Sequence, residues 1–349
     1  MPNEKFFTKQ LMRWNSDENT REMPWKNEKD PYKIWISEII LQQTRVNQGL
    51  EYYKRFIAKY PIVKALAAAK ETEVFKMWEG LGYYTRCRNI IASAKYISED
   101  LSGIFPDTYN DILQLKGVGS YTASAIASFA YNLPHAVLDG NVFRVLARFF
   151  GINIPIDHPE GKKHFGDLAN KLLDKKNPGT YNQAIMDFGA TICKPLPLCD
   201  ICPLNNRCVA YLNGWVQQLP VKEKVIIKRN RWLYYLVIEH NKKFYVRKRT
   251  EKDIWQNLYE FILVEMPAAV SIKKLQQSKK FKLILGETDY KLNKVSVIYK
   301  QQLTHQTIHG QFISLSINAL LTLLQHQLIS KKQVDLLPFP KLITTWLKD

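Results

Sequence analysis

A mainly α-helical N-terminal domain followed by a smaller α+β domain is the architecture this sequence predicts. The chain has 349 residues, which at roughly 150 residues per domain gives about two domains. Up to about residue 213 the apolar residues recur at helical spacing. Beyond Gly214 they alternate and are rich in β-branched types, as in strands. The expected boundaries are therefore 1–213 for the helical domain, 214–230 for a linker (Gln217-Gln218-Leu219-Pro220 followed by charge) and 231–349 for the second domain.

Composition narrows the partners. With 46% hydrophobic and 23% charged residues the chain is globular rather than disordered. No apolar run approaches the ~18 residues of a membrane span, and the charged start Met1 to Lys5 has no apolar stretch behind it, so neither a membrane nor secretion is expected. Fifty Lys and Arg against 32 Asp and Glu leave a net charge of +18. Residues 221–349 carry 23 of those basic residues against 10 acidic ones. A polyanion, nucleic acid first, is the expected partner of a monomeric protein.

In chain order, helical patterns run from Ile34 to Phe56 and from Tyr121 to Tyr131, punctuated by Pro31, Pro61, Gly80, Gly82, Pro106, Gly117, Gly119, Pro134 and Gly151. Between two such patterns lies Leu113 to Ala123, with Gly117-Val118-Gly119 at its centre. Two glycines two apart permit a tight turn and a close backbone approach. Ser120 is the expected N-cap of the helix that follows, and such a helix start can hold a phosphate. This is the pattern of a helix–hairpin–helix, which grips DNA without reading bases. In the second domain, strands are expected at Trp232–Glu239, Phe244–Arg247, Phe281–Leu285, Val295–Tyr299 and Gln311–Ser316, with short helices near 271–279 and 317–326.

Three groups carry chemistry. Cys193, Cys199, Cys202 and Cys208 are spaced C-x5-C-x2-C-x5-C, with Pro195, Pro197 and Pro203 stiffening the loops. Four of five cysteines within 16 residues point to an inorganic centre in a reducing compartment. The short loops favour [4Fe–4S], while zinc sites more often set two C-x2-C pairs on a long arm. Cys87, alone, reads as a packing residue. Glu38 interrupts an apolar helical run. An arbitrary Glu there would face solvent, but Ile36, Ile39, Ile40 and Leu41 crowd this one. Partial burial would raise its pKa and keep a proton available near neutrality. Gln42 and Gln43 end the run with side chains able to probe base edges. Asp139, before the helix expected at 141–149, reads as an N-cap whose carboxylate the helix start keeps ionised. A protonated Glu38 beside an ionised Asp139 makes an acid and a charge stabiliser.

Taken with Pro24-Trp25, the run Trp35 to Arg45, Gly80-Leu81-Gly82-Tyr83-Tyr84, Leu138-Asp139-Gly140-Asn141 and Asn182-Gln183-Ala184, these motifs resemble the MutY family of adenine DNA glycosylases, in the helix–hairpin–helix superfamily. The resemblance covers nearly the whole chain. It implies a helix–hairpin–helix glycosylase domain with an iron–sulfur loop at 193–208, and a Nudix-like 8-oxoguanine-reading domain, matched at Ile254 to Phe261 but without a complete Nudix box of glutamates. The implied function is base-excision repair: monofunctional hydrolysis of the N-glycosidic bond of adenine mispaired with 8-oxoguanine or guanine in double-stranded DNA. Glu38 is implied as the acid at adenine N7, Asp139 as stabiliser of the sugar cation, and Tyr121 and Asn141 as their supports. Trp25, Lys26, Leu41 and Gln183 match the flipped-adenine pocket. Gln43 and Tyr83 match residues that wedge into the duplex, and Leu303, Thr304 and His305 match an 8-oxoguanine-contacting Phe-Ser-His triplet. The same resemblance implies that Gly117, Val118 and Gly119 hold the DNA backbone and that Cys193, Cys199, Cys202 and Cys208 hold a [4Fe–4S] cluster. The chain departs from the family in a first cysteine gap of five rather than six, in Leu303 and Thr304, and in Lys26, a position where several side chains occur.

Two other readings compete. An endonuclease III-like glycosylase/lyase would place a Lys where Tyr121 stands and would lack the second domain. A non-catalytic iron–sulfur DNA-binding protein would need neither Glu38 nor Asp139. A bacterial, cytoplasmic, nucleoid-associated protein is expected from the compact length and from the start of the chain.

Overall fold

The computed structural model describes residues 2–23, 25–223 and 228–349. Met1, Pro24 and the 224–227 part of the expected linker lie outside the described residues. The chain divides into two compact units. One comprises Met1–Ala68 with Asn89–Lys224, the other Ala69–Arg88 with Val225–Asp349. The second unit therefore includes a segment, Ala69–Arg88, that the sequence reading assigned to the first.

The first unit is helical. Its central helix, Pro31–Leu41, is predominantly apolar and is buried from Tyr32 to Ile40, apart from Lys33, as a helix with so little polar surface has to be; Ser37 and Glu38 are its buried polar residues. Pro31 occupies the first helical position and Asp30 caps it, accepting from the Tyr32 N–H at 2.9 Å. The pattern expected to run from Ile34 to Phe56 breaks at Gln42–Arg45 and resumes in the helix Val46–Lys59. Helices Pro2–Asp17, Gly140–Phe150, Pro159–Leu172 and Pro178–Thr191 enclose a core containing Phe7, Leu11, Trp14, Leu146, Phe149, Phe165 and Phe188. Helix Pro178–Thr191 packs against both Gly140–Phe150 and Ser120–Tyr131. A Cβ at Gly189 would meet the Asn141 Cβ at 2.7 Å and one at Gly179 the Ser128 carbonyl at 2.8 Å, so both close approaches depend on glycine.

The hairpin forms between the helices Tyr109–Gln114 and Ser120–Tyr131. Gly117 has φ +82°, and a Cβ there would meet the Asn89 amide at 2.5 Å, so it serves the turn. The cap of the second helix is Gly119, with no side chain bonded over it, and Ser120 is the first helical residue. The expected Ser120 cap is thus displaced by one position. A bare Gly119 leaves the helix start uncovered by its own side chain.

The second unit holds a seven-stranded mixed sheet. The strands are β1 (Arg229–His240), β2 (Lys243–Lys248), β3 (Tyr259–Met266), β4 (Tyr290–Val295), β5 (Tyr299–Gln302), β6 (Gln306–Ile317) and β7 (Gln327–Ser330). Their order is β4-β6-β1-β3-β2-β7, with β5 also on β6. β1 and β6 run parallel in long register, from Arg229 opposite Gln306 to Glu239 opposite Ser316. Helices Ile272–Gln276 and Lys279–Leu285 cover one face through Leu275, Phe281 and Leu285.

Three expectations fail here. Phe281–Leu285 is helical rather than a strand, because Ser278 caps it by accepting from the Phe281 N–H and its two buried residues stand four apart. Residues 318–326 form no helix among the described residues, and the Leu321 N–H is taken by the Tyr245 hydroxyl. Val295–Tyr299 is divided between the end of β4 and the start of β5, because Ser296 turns to the Phe312 backbone.

Candidate active site

A cavity of about 620 Å³ in the helical unit is lined by Trp25, Lys26, Glu38, Leu41, Gln42, Gln43, Tyr121, Asp139, Asn141 and Gln183, with Asn15 and Arg21 among its other walls. The four residues expected to be catalytic therefore meet in one space with five of those expected to bind substrate.

Glu38, on the buried central helix, is only 6% exposed. Burial pushes its carboxyl up to about 7, the negative charge of Asp139 pushes the same way, and a hydrogen bond with Tyr121 pulls it back in part. The Tyr121 hydroxyl is itself held well above its ordinary range by burial and then by the two carboxylates, so it stays protonated and donates. Asp139 caps the helix Gly140–Phe150, with Oδ1 accepting from the Val142 N–H at 2.7 Å and Oδ2 from Asn141 Nδ2 at 2.9 Å. Its carboxyl is nonetheless raised above its ordinary value by burial, with these donors opposing. The expectation that the helix start alone keeps it ionised therefore omitted the desolvation. Asn141 is held in turn by Arg144, whose Nη2 donates to Asn141 Oδ1 at 2.8 Å and whose Nε donates to the Cys193 carbonyl at 2.7 Å.

At the cavity rim Gln43 has φ +54°, a left-handed backbone uncommon for a residue other than glycine. Tyr83, in the second unit, shares that conformation at φ +48°, and its hydroxyl lies 2.9 Å from Thr304 Oγ1. Leu303, Thr304 and His305 form the turn between β5 and β6, closed by the Leu303 N–H to the Gln306 carbonyl at 2.8 Å. These residues belong to the second unit and are not among the cavity walls.

Similarity to known proteins decides the family. Residues 36–171 match the HhH-GPD superfamily of base excision DNA repair proteins. An adenine DNA glycosylase of Buchnera aphidicola subsp. Schizaphis graminum is 35% identical over 306 residues, covering 87% of this chain and 85% of that protein. Another, from Buchnera aphidicola subsp. Acyrthosiphon pisum, is 37% identical over 258 residues, 73% of each chain. The chain belongs to the adenine DNA glycosylase family. A solved thermostable thymine-DNA glycosylase is 29% identical with a TM-score of 0.57, covering 61% of this chain and 98% of that one. An adenine DNA glycosylase acts on N-glycosyl bonds of DNA in base-excision repair, and DNA is accordingly its partner. No helix among the described residues is long and apolar enough to cross a membrane.

In this glycosylase the four clustered cysteines line a common small pocket with Arg148. Burial pushes Cys202 up to about 12, and Cys193, Cys208 and Cys199 add to the rise. So dense a set of thiols suits ionisation only beside a compensating positive centre. Among the described residues no three Cys, His, Asp or Glu side chains converge closely enough for a single metal ion. Four thiols around one shared void form a donor set that fits a thiolate-ligated metal centre. Arg148 ties the loops together, donating to the carbonyls of Lys194 at 2.7 Å, Pro195 at 3.1 Å and Val216 at 2.9 Å, with its Nη1 3.6 Å from Cys193 Sγ.

The sequence reading missed Arg21, Asn15 and Asp187. Asp187 stands four residues after Gln183 on one helix, which is a visible signal. Arg21 lies in a stretch without periodicity, and only the fold brings it to the cavity.

Proposed function

We propose that this glycosylase removes adenine mispaired with 8-oxoguanine or guanine, hydrolysing the bond between N9 and C1′ without cutting the strand. The observation that carries the catalytic part is the pairing of Glu38, held near 7 by burial, with Asp139 across one cavity. Glu38 gives its proton to adenine N7. The C1′–N9 bond breaks with its electron pair moving into the base, which leaves neutral. Asp139 offsets the cation developing on the sugar, and Asn141 orients Asp139. Water adds at C1′, and its proton returns to the Glu38 carboxylate. Tyr121 holds Glu38 and, lacking an amine, forms no Schiff base with the sugar.

An adenine inside a duplex is out of reach, so it is flipped into the cavity between Trp25, Lys26, Leu41 and Gln183, at a cost of a few kcal/mol that mispairing lowers. Gln43 and Tyr83 fill the space vacated in the duplex, and the hairpin Gly117-Val118-Gly119 holds the backbone. We assign the first unit to catalysis and the Nudix-like second unit to reading the opposite base through Leu303, Thr304 and His305, a reading supported by the Tyr83–Thr304 contact. Cys193, Cys199, Cys202 and Cys208 would hold a [4Fe–4S] cluster that, when bound, folds and stiffens the loops. Action in a bacterial cytoplasm on nucleoid DNA belongs to the same reading and is supported by the bacterial relatives.

Base release from duplexes with A opposite 8-oxoguanine, A opposite G and A opposite T tests this. Release from the first two and little from the third is expected, with strands intact until treated with hot alkali. A borohydride-trapped adduct in the wild type contradicts the monofunctional assignment. Brown protein with about four irons per chain supports the cluster, and one zinc with no iron opposes it.

A further inference from the structure

Gln183 lines the cavity, and Asp187, one helical turn further on, sits behind that wall with no exposed surface. Asp187 Oδ1 accepts from Gln183 Nε2 at 2.9 Å and from Arg21 Nη1 at 2.7 Å. Its Oδ2 accepts from Asn19 Nδ2 at 3.0 Å, with Lys26 Nζ at 3.5 Å. Three of these four partners, Arg21, Lys26 and Gln183, face the cavity.

The two cations can only donate to a ligand. Gln183 is different, because the two ends of a carboxamide are nearly the same shape and opposite in hydrogen-bonding sense. Which end faces the ligand decides what the pocket accepts. A carboxylate accepts only, so Nε2 turns to Asp187 and Oε1 is the end left for a ligand. An outward Oε1 suits a base that donates from its 6-position, as adenine does through its N6 amine. It repels a base with an acceptor there, as guanine has in O6. Were the amide reversed, an outward NH2 would join Arg21 and Lys26 in a purely donating wall, and the preference would invert.

We propose that Asp187 is a positioning residue for base selectivity. By holding Gln183 Nε2 it presents Oε1 to the flipped base and makes the cavity select 6-amino over 6-oxo purines, without touching the base. This rests on the reading that the cavity receives the flipped adenine.

The test uses full-length protein with its metal content intact, and single-turnover release of adenine, hypoxanthine (6-oxo) and unsubstituted purine from the same position opposite G. Asp187→Asn can offer Gln183 either a donor or an acceptor, so the amide is free to turn. The adenine-to-hypoxanthine rate ratio is expected to fall at least about tenfold, while unsubstituted purine, which has nothing at the 6-position to select, changes far less. Gln183→Ala should collapse the same ratio, and adding Asp187→Asn to it should lower the ratio no further. An equal loss for all three bases in Asp187→Asn, or a second fall in the ratio in the double variant, overturns the proposal and leaves Asp187 as a wall support. If Asp187→Asn does not fold, the half-buried Gln183→Ala decides, since an unchanged ratio there overturns the proposal as well. Wild-type protein that releases none of the three overturns the underlying cavity reading instead.

Discussion

Glu38 is an acid kept protonated by the removal of its water. Its folded-state pKa of about 7 against an ordinary 4.5 means that the folded chain holds this proton more tightly than the unfolded one. The stability it contributes is complete below about 4.5 and is lost as pH rises through about 7, a span worth about 3 kcal/mol. Glu38→Gln keeps the shape and removes the titration. Its single-turnover excision is expected to fall by about 10²–10⁴, and chemical denaturation should find it more stable than the wild type at pH 8.5, with the gap closing toward pH 4.5. A variant that excises normally, or whose stability tracks the wild type at every pH, would refute the acid assignment. Glu38 could be picked out in the sequence because its apolar neighbours sit in an unbroken helical pattern. The left-handed backbones of Gln43 and Tyr83 could not. They are non-glycine residues in turns held by tertiary structure, and local strain of this kind has no compositional signature.

The helix Gly140–Phe150 does two things with one side chain. Asp139 closes its first turn and supplies the carboxylate beside Glu38. Asn caps a helix about as well as Asp, whereas Ala forfeits about 1 kcal/mol. Asp139→Asn is therefore expected to unfold close to the wild-type midpoint and Asp139→Ala below it, with excision collapsing in both. Near-normal excision by Asp139→Asn would leave Asp139 only its cap. This helix could be read because cap and periodicity agree. In the second unit they conflict. Phe281–Leu285 reads as a strand by composition, yet Ser278 and the i,i+4 pair Phe281 and Leu285 make it helical. β3, Tyr259–Met266, is a nearly continuous apolar run, and in so short a run helix and strand cannot be told apart by period. Asp187 lies between these cases, since its spacing from Gln183 is visible while its burial against Arg21 and Asn19 is not.

Over the whole molecule, the excess of basic residues in 221–349 admits two roles for the second unit, a clamp on the DNA backbone or a reader of the opposite base. Deleting it does not separate them cleanly. Trp78, Phe75 and Tyr84 are buried in that unit, and the Phe339 N–H donates to Glu79 at 2.9 Å while Lys76 Nζ donates to the Leu337 carbonyl at 3.0 Å. A chain cut at Gly214 strands the 69–88 segment, and it also removes Leu219, to whose carbonyl Arg148 donates, and Val221, whose carbonyl takes the Ile156 N–H. The informative change is small and keeps the chain whole. Thr304→Ala with His305→Ala removes two polar groups from one turn, one of them bonded to Tyr83, and leaves the basic residues in place. If the turn reads 8-oxoguanine, each lost contact costs roughly 1–3 kcal/mol of discrimination. The preference for A opposite 8-oxoguanine over A opposite G should then shrink by tenfold or more, while the single-turnover rate on A opposite G at saturating enzyme stays near the wild type. An unchanged preference would leave only the clamp. Neutralising lysines of 221–349 should in that case weaken binding to every duplex alike and flatten its dependence on salt, because phosphates carry no record of which base lies opposite the adenine.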